Sequence, residues 1–483
     1  MTETAVPRIT ATASAGDPVA LRRVHFVGVG GAGMLPLARV CAERGFTVSG
    51  SDLRQSEGLE VLAGLGVRVY TGHAASQVPA DATAVVYTHA VDEDNPEVQA
   101  GRERGIPLVH RSTALNALMA DNIAVGVLGT HGKTSTAAML AHALTRMGHA
   151  PTYVVGGDVR GPASGGHAGN GEIFIAEVDE SDRTHLGVRV NVAVITNIEH
   201  DHPENYRGVA DHIAAYEQFA LGIWPGGTLV LNADSPGCRE LASRLALAGH
   251  GPRLMWFGGS AHATWRMTDA VCAHGGGMAT LSGPGGAETG LTLGIPGTHQ
   301  LLNAAAAIAT VHAVGLDAAR AAGHLGTFEG VARRMSRAGD AAGARVYDSY
   351  AHHPTEIRAD LAAARSLLTE PDGRVISVFQ SAGQARHEAF GGEFGAALAH
   401  GDEVVLTGHS RVGDEVVLRE LSAAVENAGG SCRGVERDRA AAVACAAAVA
   451  RPGDVVVLIG TGDLVEYGQA LTGELSRPAE AAA

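Results

Sequence analysis

One loop carries residues suited to phosphate chemistry, and it holds the only lysine of this 483-residue chain. The loop comprises Gly129, Thr130, His131, Gly132, Lys133, Thr134 and Ser135. Successive amides of such a loop can form a nest for anions, a lysine can reach β- and γ-phosphates, and a threonine hydroxyl can bind Mg²⁺. Val127 stands where a strict Walker A motif has its first glycine. The loop is therefore a variant phosphate-binding loop.

The scarcity of lysine strengthens that interpretation. Of the 36 lysine and arginine residues, all but Lys133 are arginine, so a need for positive charge alone does not explain this lysine. A planar guanidinium is larger than an ammonium and cannot take its place among phosphates. We therefore predict that Lys133 contacts phosphate. The count also argues against pyridoxal-phosphate and biotin enzymes, which need a lysine of their own.

A second glycine-rich loop follows the first apolar segment of the chain. It has G-x-G-x-x-G spacing and contains Gly28, Gly30, Gly31, Ala32 and Gly33. Asp52 lies at the end of the next predicted strand. Glycines let the backbone approach a pyrophosphate, whose charge then lies at a helix N-terminus. The spacing alone fits a dinucleotide such as NAD, another nucleotide, or a glycine-rich turn that binds no ligand.

Acidic and imidazole side chains follow two further predicted strands. The first group contains Glu177, Asp179 and Glu180, and the second contains Asn197, Glu199, His200, Asp201 and His202. In nucleotide-binding sheets, loops at the carboxyl ends of parallel strands converge on one ligand. Carboxylates suit Mg²⁺, and a histidine can help to hold a second ion. These segments predict a magnesium site beside the phosphate-binding loop.

The elements that must position these loops are strands and helices in alternation, and the pattern restarts twice along the chain. Such alternation is typical of α/β proteins with parallel sheets. We predict a flexible tail over 1–20, a Rossmann-like domain over 21–120, a P-loop ATPase-type α/β domain over 121–328 and a Rossmann-like α/β domain over 329–483. The central domain includes a glycine-rich, more β-like part over about 250–295.

Composition argues against several classes of partner. The formal net charge of −15 disfavours binding to a nucleic-acid backbone, which needs clustered lysine and arginine. No apolar run approaches the roughly 20 residues of a membrane helix, and residues 1–20 show no signal pattern. The five scattered cysteines predict reduced thiols in a cytoplasm. The expected partners are small molecules, and nothing in the sequence sets the oligomeric state.

A series of motifs resembles the ATP-dependent Mur ligases of peptidoglycan synthesis. The motifs span about residues 24–357 and read, in order, HFVGVGGAGM, SGSD, GTHGKTS, AEVDESD, TNIEHDHPENY, GTHQLLNAAAA, ARRM and AHHPTE. The resemblance implies a UDP-binding, an ATP-binding and an amino-acid-binding domain, so the first glycine-rich loop would hold UDP rather than NAD. It also implies that ATP phosphorylates a muramyl carboxylate and that an amine attacks the acyl phosphate to form an amide. Cations and loop amides would stabilise charge on the transferring phosphoryl group.

The resemblance also implies roles for individual residues. Those expected to act in catalysis are Lys133, Glu177, His202, Arg334 and His352. Those expected to hold two Mg²⁺ ions are Thr134, Glu177 and His202. ATP would be bound by the phosphate-binding loop with Asn303, Arg334 and Asp348, and the UDP-sugar by the first glycine-rich loop with Ser51, Asp52 and His73. The amino acid or muramyl substrate would meet Tyr350, His352, His353 and Arg386.

Within this family, the chain resembles the branch that joins L-alanine to UDP-N-acetylmuramate. Branches that add D-glutamate or a diamino acid use a carbamylated lysine to bridge their metals, and Lys133 leaves no lysine for that role. Several departures from the family pattern fall where substrates should bind. Gln300 replaces an asparagine, Ser349 an aspartate and His89 a serine, and the segments FQSAGQAR and LTGHSRVGD differ from the usual motifs.

These departures leave alternatives open. A divergent Mur-type ligase could join another acid and amine in specialised metabolism or in murein peptide recycling. An NAD-dependent oxidoreductase would use Asp52 on a ribose but has no use for the phosphate-binding loop. A non-catalytic nucleotide sensor would bind ATP without turnover.

Overall fold

The structure is a computed structural model that describes residues 21–157, 165–341, 343–381, 383–408 and 414–467. The predicted tail over 1–20, residue 382 of the FQSAGQAR segment and residues 409–413 of the LTGHSRVGD segment lie outside the described residues. The described chain forms three sheets built mainly of parallel strands. The predicted three-domain α/β architecture is confirmed.

The first sheet places the first glycine-rich loop. Its domain contains β1 (Arg23–Val27), α1 (Leu35–Glu43), β2 (Thr47–Asp52), α2 (Glu57–Gly64), β3 (Arg68–Thr71), β4 (Ala84–Tyr87), α3 (Pro96–Glu103), β5 (Leu108–His110) and α4 (Arg111–Met119). The strands pair in parallel in the order β3-β2-β1-β4-β5. The strand order reverses between β1 and β4, so the loops that follow these two strands border the crevice where such sheets bind ligands.

The second sheet places the phosphate-binding loop at its centre. Its domain contains β6 (Ile123–Leu128), α5 (Lys133–Arg146), β7 (Thr152–Val154), β8 (Gly166–His167), β9 (Ile173–Glu177), β10 (Val192–Ile195), α6 (Val209–Leu221), β11 (Thr228–Asn232), α7 (Pro236–Ala248), β12 (Arg253–Gly258), β13 (Trp265–Ala273), β14 (Gly276–Ser282), β15 (Glu288–Leu293), α8 (Thr298–Ala313) and α9 (Ala318–Leu325). The described strands pair in the order β15-β14-β13-β12-β11-β10-β6-β9-β7-β8. All six residues of β6 are buried, and β6 pairs in parallel with β9 and β10. The acidic segments after β9 and β10 therefore flank the phosphate-binding loop. Antiparallel pairing of β13, β14 and β15 accounts for the β-like part of this domain.

The third sheet carries the remaining candidate residues. Its domain contains β16 (Arg334–Ala341), β17 (Ala344–Ser349), α10 (Pro354–Ser366), β18 (Val375–Gln380), α11 (Gln384–Leu398), β19 (Glu403–Thr407), α12 (Asp414–Asn427), β20 (Cys432–Glu436), α13 (Arg439–Val449) and β21 (Val455–Ile459). Its order is β16-β17-β21-β18-β19-β20, with only β16 antiparallel to its neighbour among the described strands. The two edge strands, β16 and β20, are the ones that the sequence pattern did not predict, because edge strands are short of apolar residues.

Apolar packing joins the first two domains more closely than it joins the third. Leu37 of α1 and Val154 of β7 belong to one buried apolar cluster, whereas Phe379 and Ile357 belong to a cluster confined to the third domain. Among the described residues, no helix is both long enough and apolar enough to cross a membrane.

Candidate active site

The phosphate-binding loop connects β6 to α5 and presents Lys133 in the first turn of the helix. Gly132 has a left-handed backbone with φ of 81°, and a side chain at this position would collide with the amide of Asn303. Only glycine combines that backbone with that close approach. The loop is thus shaped by its glycines and by a helix, α8, that is distant in sequence.

Lys133 is held by oxygen atoms at the centre of the loop. Its Nζ donates to the Gly129 carbonyl at 2.7 Å and to Glu180 Oε1 at 2.8 Å. Burial lowers the pKa of Lys133, but the carboxylates of Glu180 and Asp179 outweigh burial and raise it above its usual value. Glu180 is fully buried, and its Oε2 has no hydrogen-bond partner among the described residues. The lysine is therefore cationic, beside a carboxylate oxygen with spare acceptor capacity.

Oxygen ligands for a hard cation lie beside the lysine. Thr134 Oγ1 donates to Glu177 Oε1 at 2.9 Å, and the backbone amide of Gly156 donates to Glu177 Oε2 at 2.6 Å. Arg334, from the third domain, reaches Thr134 Oγ1 at 3.5 Å. A hydroxyl and a carboxylate fixed by a backbone amide form the kind of set that Mg²⁺ prefers.

His202 adopts an unusual backbone conformation next to an interdomain ion pair. Its φ is 51°, in the left-handed region, which for a residue other than glycine costs on the order of 1–3 kcal/mol. Its Nε2 lies 3.5 Å from Asp201 Oδ2, and its Nδ1 lies 3.3 Å from Glu204 Oε1. Arg386 of α11 donates to both oxygens of Asp201, at 3.0 and 3.3 Å. Burial raises the pKa of Asp201, but His202 and Arg386 hold it well below its usual range.

A second interdomain group surrounds His131 of the phosphate-binding loop. Its Nδ1 lies 3.3 Å from Glu356 Oε1 of α10, and its Nε2 lies 3.5 Å from Glu199 Oε2. Burial lowers the pKa of His131, but these carboxylates outweigh burial and raise it to about 9. The neighbouring ring of His353, with its centroid 4.5 Å away, has a pKa lowered to about 4 by burial and by the charge of His131. The pair therefore consists of one charged and one neutral imidazole.

The start of α10 supplies the rest of this interdomain contact. His353 is the N-cap of α10, and its Nε2 lies 3.1 Å from the His200 carbonyl of the second domain. Thr355 Oγ1 donates to Glu199 Oε2 at 2.7 Å. His352 Nδ1 lies 3.4 Å from Glu356 Oε2, so the first and last residues of the His-His-Pro-Thr-Glu string contact each other.

The connection between the second and third domains carries two arginines. The guanidinium of Arg333 lies 4.7 Å, and that of Arg334 5.1 Å, from the ring centroid of Tyr350, within the range of cation–π attraction. Arg333 and Met335 both have left-handed backbones, with φ of 60° and 54°. Asp348, on β17, accepts a hydrogen bond from the Ser336 hydroxyl.

Three residues predicted to bind the UDP-sugar make contacts in or next to the first glycine-rich loop. Gly30 donates its backbone amide to Asp52 Oδ2 at 2.9 Å. Ser51 donates to the buried carboxylate of Glu97, and His73 Nδ1 lies 2.8 Å from Ser51 Oγ and 3.2 Å from Glu97 Oε2. Asp52 and Ser51 are therefore engaged in shaping this edge of the sheet.

A cleft of about 800 Å³ brings the two loops together. The predicted residues on its wall are Gly30, Ala32, Gly33, Thr130, Gly132, Lys133, Thr134, Glu177, Asp179, Asp201, His202, Arg334, Tyr350 and His352. The predicted residues that are not on its wall are Gly28, Gly31, Ser51, Asp52, His73, Gly129, His131, Ser135, Glu180, Asn197, Glu199, His200, Asn303, Asp348, His353 and Arg386. Several of the second set hold members of the first in place through the contacts above.

Two of the departures from the family pattern have local partners. Gln300 accepts a hydrogen bond from Asn303 Nδ2 at 3.3 Å. Ser349 donates to Asp360 of α10, so a carboxylate from the adjacent helix occupies the neighbourhood of the missing aspartate. Burial raises the pKa of Asp360 to about 7. His299 Nε2 lies 3.5 Å from the other oxygen of Asp360.

Several residues of this site were not predicted from the sequence. Glu97 and Asp360 are buried carboxylates, Glu356 is a largely buried one, and each has a partner on another element. Arg111 lines the cleft and lies against Gly33. The signal for Glu356 was its place in the His-His-Pro-Thr-Glu string, whereas no short motif marks the other three.

Comparison with known proteins agrees with this architecture. Three profiles match in succession: the Mur ligase family catalytic domain over 23–122, the Mur ligase middle domain over 127–311 and the Mur ligase glutamate ligase domain over 333–462. The chain belongs to the Mur ligase family and is thus an ATP-dependent ligase that forms amide bonds. Family membership overturns the alternative of an NAD-dependent oxidoreductase.

Individual relatives carry a more specific name. The UDP-N-acetylmuramate–L-alanine ligases of Streptomyces avermitilis and Streptomyces coelicolor are each 42% identical over 96% of this chain and 99% of their own length. The crystal structure of the UDP-N-acetylmuramate–alanine ligase of Thermotoga maritima has a TM-score of 0.76 at 28% identity and covers 93% of this chain and 98% of that chain. A murein peptide ligase from Psychrobacter arcticus shares the fold, with a TM-score of 0.70 at 20% identity over 95% of this chain and 99% of that chain.

Proposed function

We propose that this enzyme joins L-alanine to the carboxylate of UDP-N-acetylmuramate and converts ATP to ADP and phosphate. The observation that carries the proposal is the 42% identity to ligases of that name along nearly the whole of both chains. The cleft supports it, because the phosphate-binding loop and the first glycine-rich loop open onto the same space. The five cysteines are free thiols, which supports a reducing cytoplasm as the location.

The three domains divide the substrates among them in this proposal. The domain predicted over 21–120 binds the UDP-sugar at its glycine-rich loop, where Asp52 holds the Gly30 amide and His73 contacts Ser51. The domain over 121–328 binds ATP, and the domain over 329–483 brings the amino acid. The proximity of all three at one cleft supports this division.

The residues present fit ATP with Mg²⁺. The spare oxygen of buried Glu180 and the fixed pair of Thr134 and Glu177 are hard oxygen donors. We assign Thr134 and Glu177 to one ion and His202 to a second. Mg²⁺ when bound would supply charge neutralisation between phosphate oxygens. We assign Asn303, whose amide lies against Gly132, to the nucleotide base, and Ser135 and Asp348 to the rest of the ATP-binding set.

Each cationic residue then has a defined task. Lys133 contacts the β- and γ-phosphates when ATP binds, and these contacts replace its contact with Glu180. Arg334 approaches the same phosphates from the third domain and stabilises negative charge as the γ-phosphoryl group moves to the muramyl carboxylate. That transfer breaks the bond from the γ-phosphorus to the bridging oxygen of ADP and forms a phosphorus–oxygen bond to the carboxylate.

The amide is formed in a second step at the third domain. The alanine amine attacks the acyl carbon, loses a proton, and phosphate leaves with the former carboxylate oxygen. We assign Arg386 and the His352–His353 pair to positioning the amino acid, and Tyr350 to the wall of its site. His353 is neutral, because burial and the charge of His131 lower its pKa to about 4, and its two nitrogens are engaged by the Thr355 amide and the His200 carbonyl, so we assign it to positioning and not to proton transfer.

A different acid or amine is the second candidate, because the FQSAGQAR segment departs from the family pattern next to Arg386. The test is phosphate release from ATP and Mg²⁺ with UDP-N-acetylmuramate, with and without L-alanine, and with mass-spectrometric detection of the amide. Release that needs both substrates and is lost in Lys133→Ala supports the alanine ligase. ATP binding without release on L-alanine, but with release on another amino acid or a murein peptide, assigns the second candidate. ATP binding without release on any acceptor would indicate a nucleotide sensor.

A further inference from the structure

A cluster of two imidazoles and one carboxylate lies at the crevice of the first sheet and has no role in the phosphoryl transfer or the amide formation described above. Its members are His89, which follows β4, His110, which ends β5, and Asp182, which follows β9. One ligand atom from each lies within 4.8 Å of the other two. The cluster therefore joins the crevice side of the first sheet to the acidic segment of the second domain.

Each member has capacity left for a ligand. The His110 Nε2 atom is buried and has no hydrogen-bond partner among the described residues. The His89 ring lies with its centroid 4.5 Å from that of His110. Asp182 accepts the backbone amide of Thr184 at 2.9 Å on Oδ1, and its Oδ2 lies 3.7 Å from Arg111. Two imidazole nitrogens and a carboxylate oxygen thus converge, with no close ion pair saturating the carboxylate.

The types of ligand atom in the cluster indicate which metal ions it could bind. Mg²⁺ and Ca²⁺ take oxygen ligands, whereas two imidazoles and one carboxylate suit Zn²⁺ and its neighbours among the divalent transition metals. We propose that His89, His110 and Asp182 hold one divalent transition-metal ion such as Zn²⁺, with water in the remaining position. This site is separate from the magnesium ligands of the proposed reaction and does not depend on which amino acid the enzyme takes.

A metal ion at this position would link the first domain to the second. Asp182 belongs to the same acidic segment as Asp179 and Glu180, the carboxylates that face Lys133. An ion bound to two strands of the first sheet and to this segment fixes one domain against the other. It also competes with Arg111 for Asp182, and Arg111 lies on the wall of the cleft.

Metal stoichiometry tests the proposal. The full-length protein is stripped with a chelator and titrated with Zn²⁺ by calorimetry in excess Mg²⁺, as wild type, His89→Ser, Asp182→Asn and the exposed control His262→Ser. His89 is exposed, so its replacement leaves the fold intact. We expect wild type and His262→Ser to bind one Zn²⁺ more than the other two, or to bind that ion at least about tenfold more tightly. Co²⁺ in place of Zn²⁺ gives a visible absorption spectrum, which we expect for wild type and His262→Ser but not for His89→Ser or Asp182→Asn.

Two results would overturn the metal site. Equal Zn²⁺ stoichiometry and affinity in all four proteins is the first. The second is a His89→Ser protein that binds Zn²⁺ like wild type but binds UDP-N-acetylmuramate more weakly, which makes His89 a substrate contact instead.

Discussion

Two sets of contacts surround the phosphate-binding loop, and they differ in where their partners come from. Lys133 with Glu180 and Thr134 with Glu177 are pairs within the second domain. His131 with Glu356 and Asp201 with Arg386 cross to the third domain. The first set persists whatever the third domain does, whereas the second exists only while the two domains are together. The difference separates residues that make the site from residues that close it.

Replacement of Lys133 is expected to have the largest effect. Lys133→Ala removes the cation from the phosphates, and we expect kcat to fall by about 10³-fold or more. It also leaves Glu180 buried without its cation, which costs about 3–5 kcal/mol of unfolding free energy. Phosphate release and denaturant unfolding measure the two effects.

A double variant separates stability from catalysis. Lys133→Ala/Glu180→Gln removes both charges, so we expect most of the stability to return while activity stays lost. Recovery of activity in the double variant would contradict a direct role of Lys133 at the phosphates. Lys133→Arg is the matched charge control, and we expect it to remain inactive because a guanidinium does not fit the loop.

Loss of Arg386 breaks the second set of contacts. We expect Arg386→Ala to lower kcat/KM for the amino acid by about 10²-fold, because the bidentate contact with Asp201 is lost and the acceptor is no longer positioned. The KM for ATP should change little, since the Lys133 pairs remain. Steady-state kinetics with each substrate varied in turn decides this. An equal rise in the KM of ATP and of the amino acid would mean that Arg386 acts only by holding the two domains together and does not position the amino acid.

The same division explains what the sequence could predict. The α/β class, the two restarts of the strand–helix pattern and the members of the first set follow from contiguous motifs, because a strand, its loop and the next helix are fixed locally. Glu356, Asp360 and Glu97 could not be paired in this way, since their partners are brought to them by other elements. The edge strands β16 and β20 were not predicted for a related reason. They are short of apolar residues, so pairing with a neighbouring strand defines them more than their own pattern does.

His131 gives the interdomain set a pH dependence. Its pKa of about 9 in the folded protein lies above the value near 6.5 expected when unfolded. The stabilisation is therefore complete below about pH 6.5 and is lost as the pH rises through 9. Relative to His131→Gln, we expect wild type to lose roughly 1–3 kcal/mol of unfolding free energy across this window. Parallel pH profiles of unfolding for the two proteins would contradict the charged state of His131.

Asp360 should give the opposite pH dependence. Its pKa of about 7 lies above the usual 3.8, so ionisation is unfavourable in the folded protein, and stability falls as the pH rises from about 4 to 7. Asp360→Asn keeps an oxygen that can accept from Ser349 but carries no charge. We therefore expect this variant to match wild type near pH 4 and to exceed it at pH 8 by up to about 4 kcal/mol, the equivalent of the shift from 3.8 to about 7. A variant less stable than wild type at pH 8 would mean that the ionised carboxylate is stabilised, with His299 as the partner to examine. In that case the pair of Ser349 and Asp360 would restore the charge of the missing aspartate, and not only its hydrogen bond.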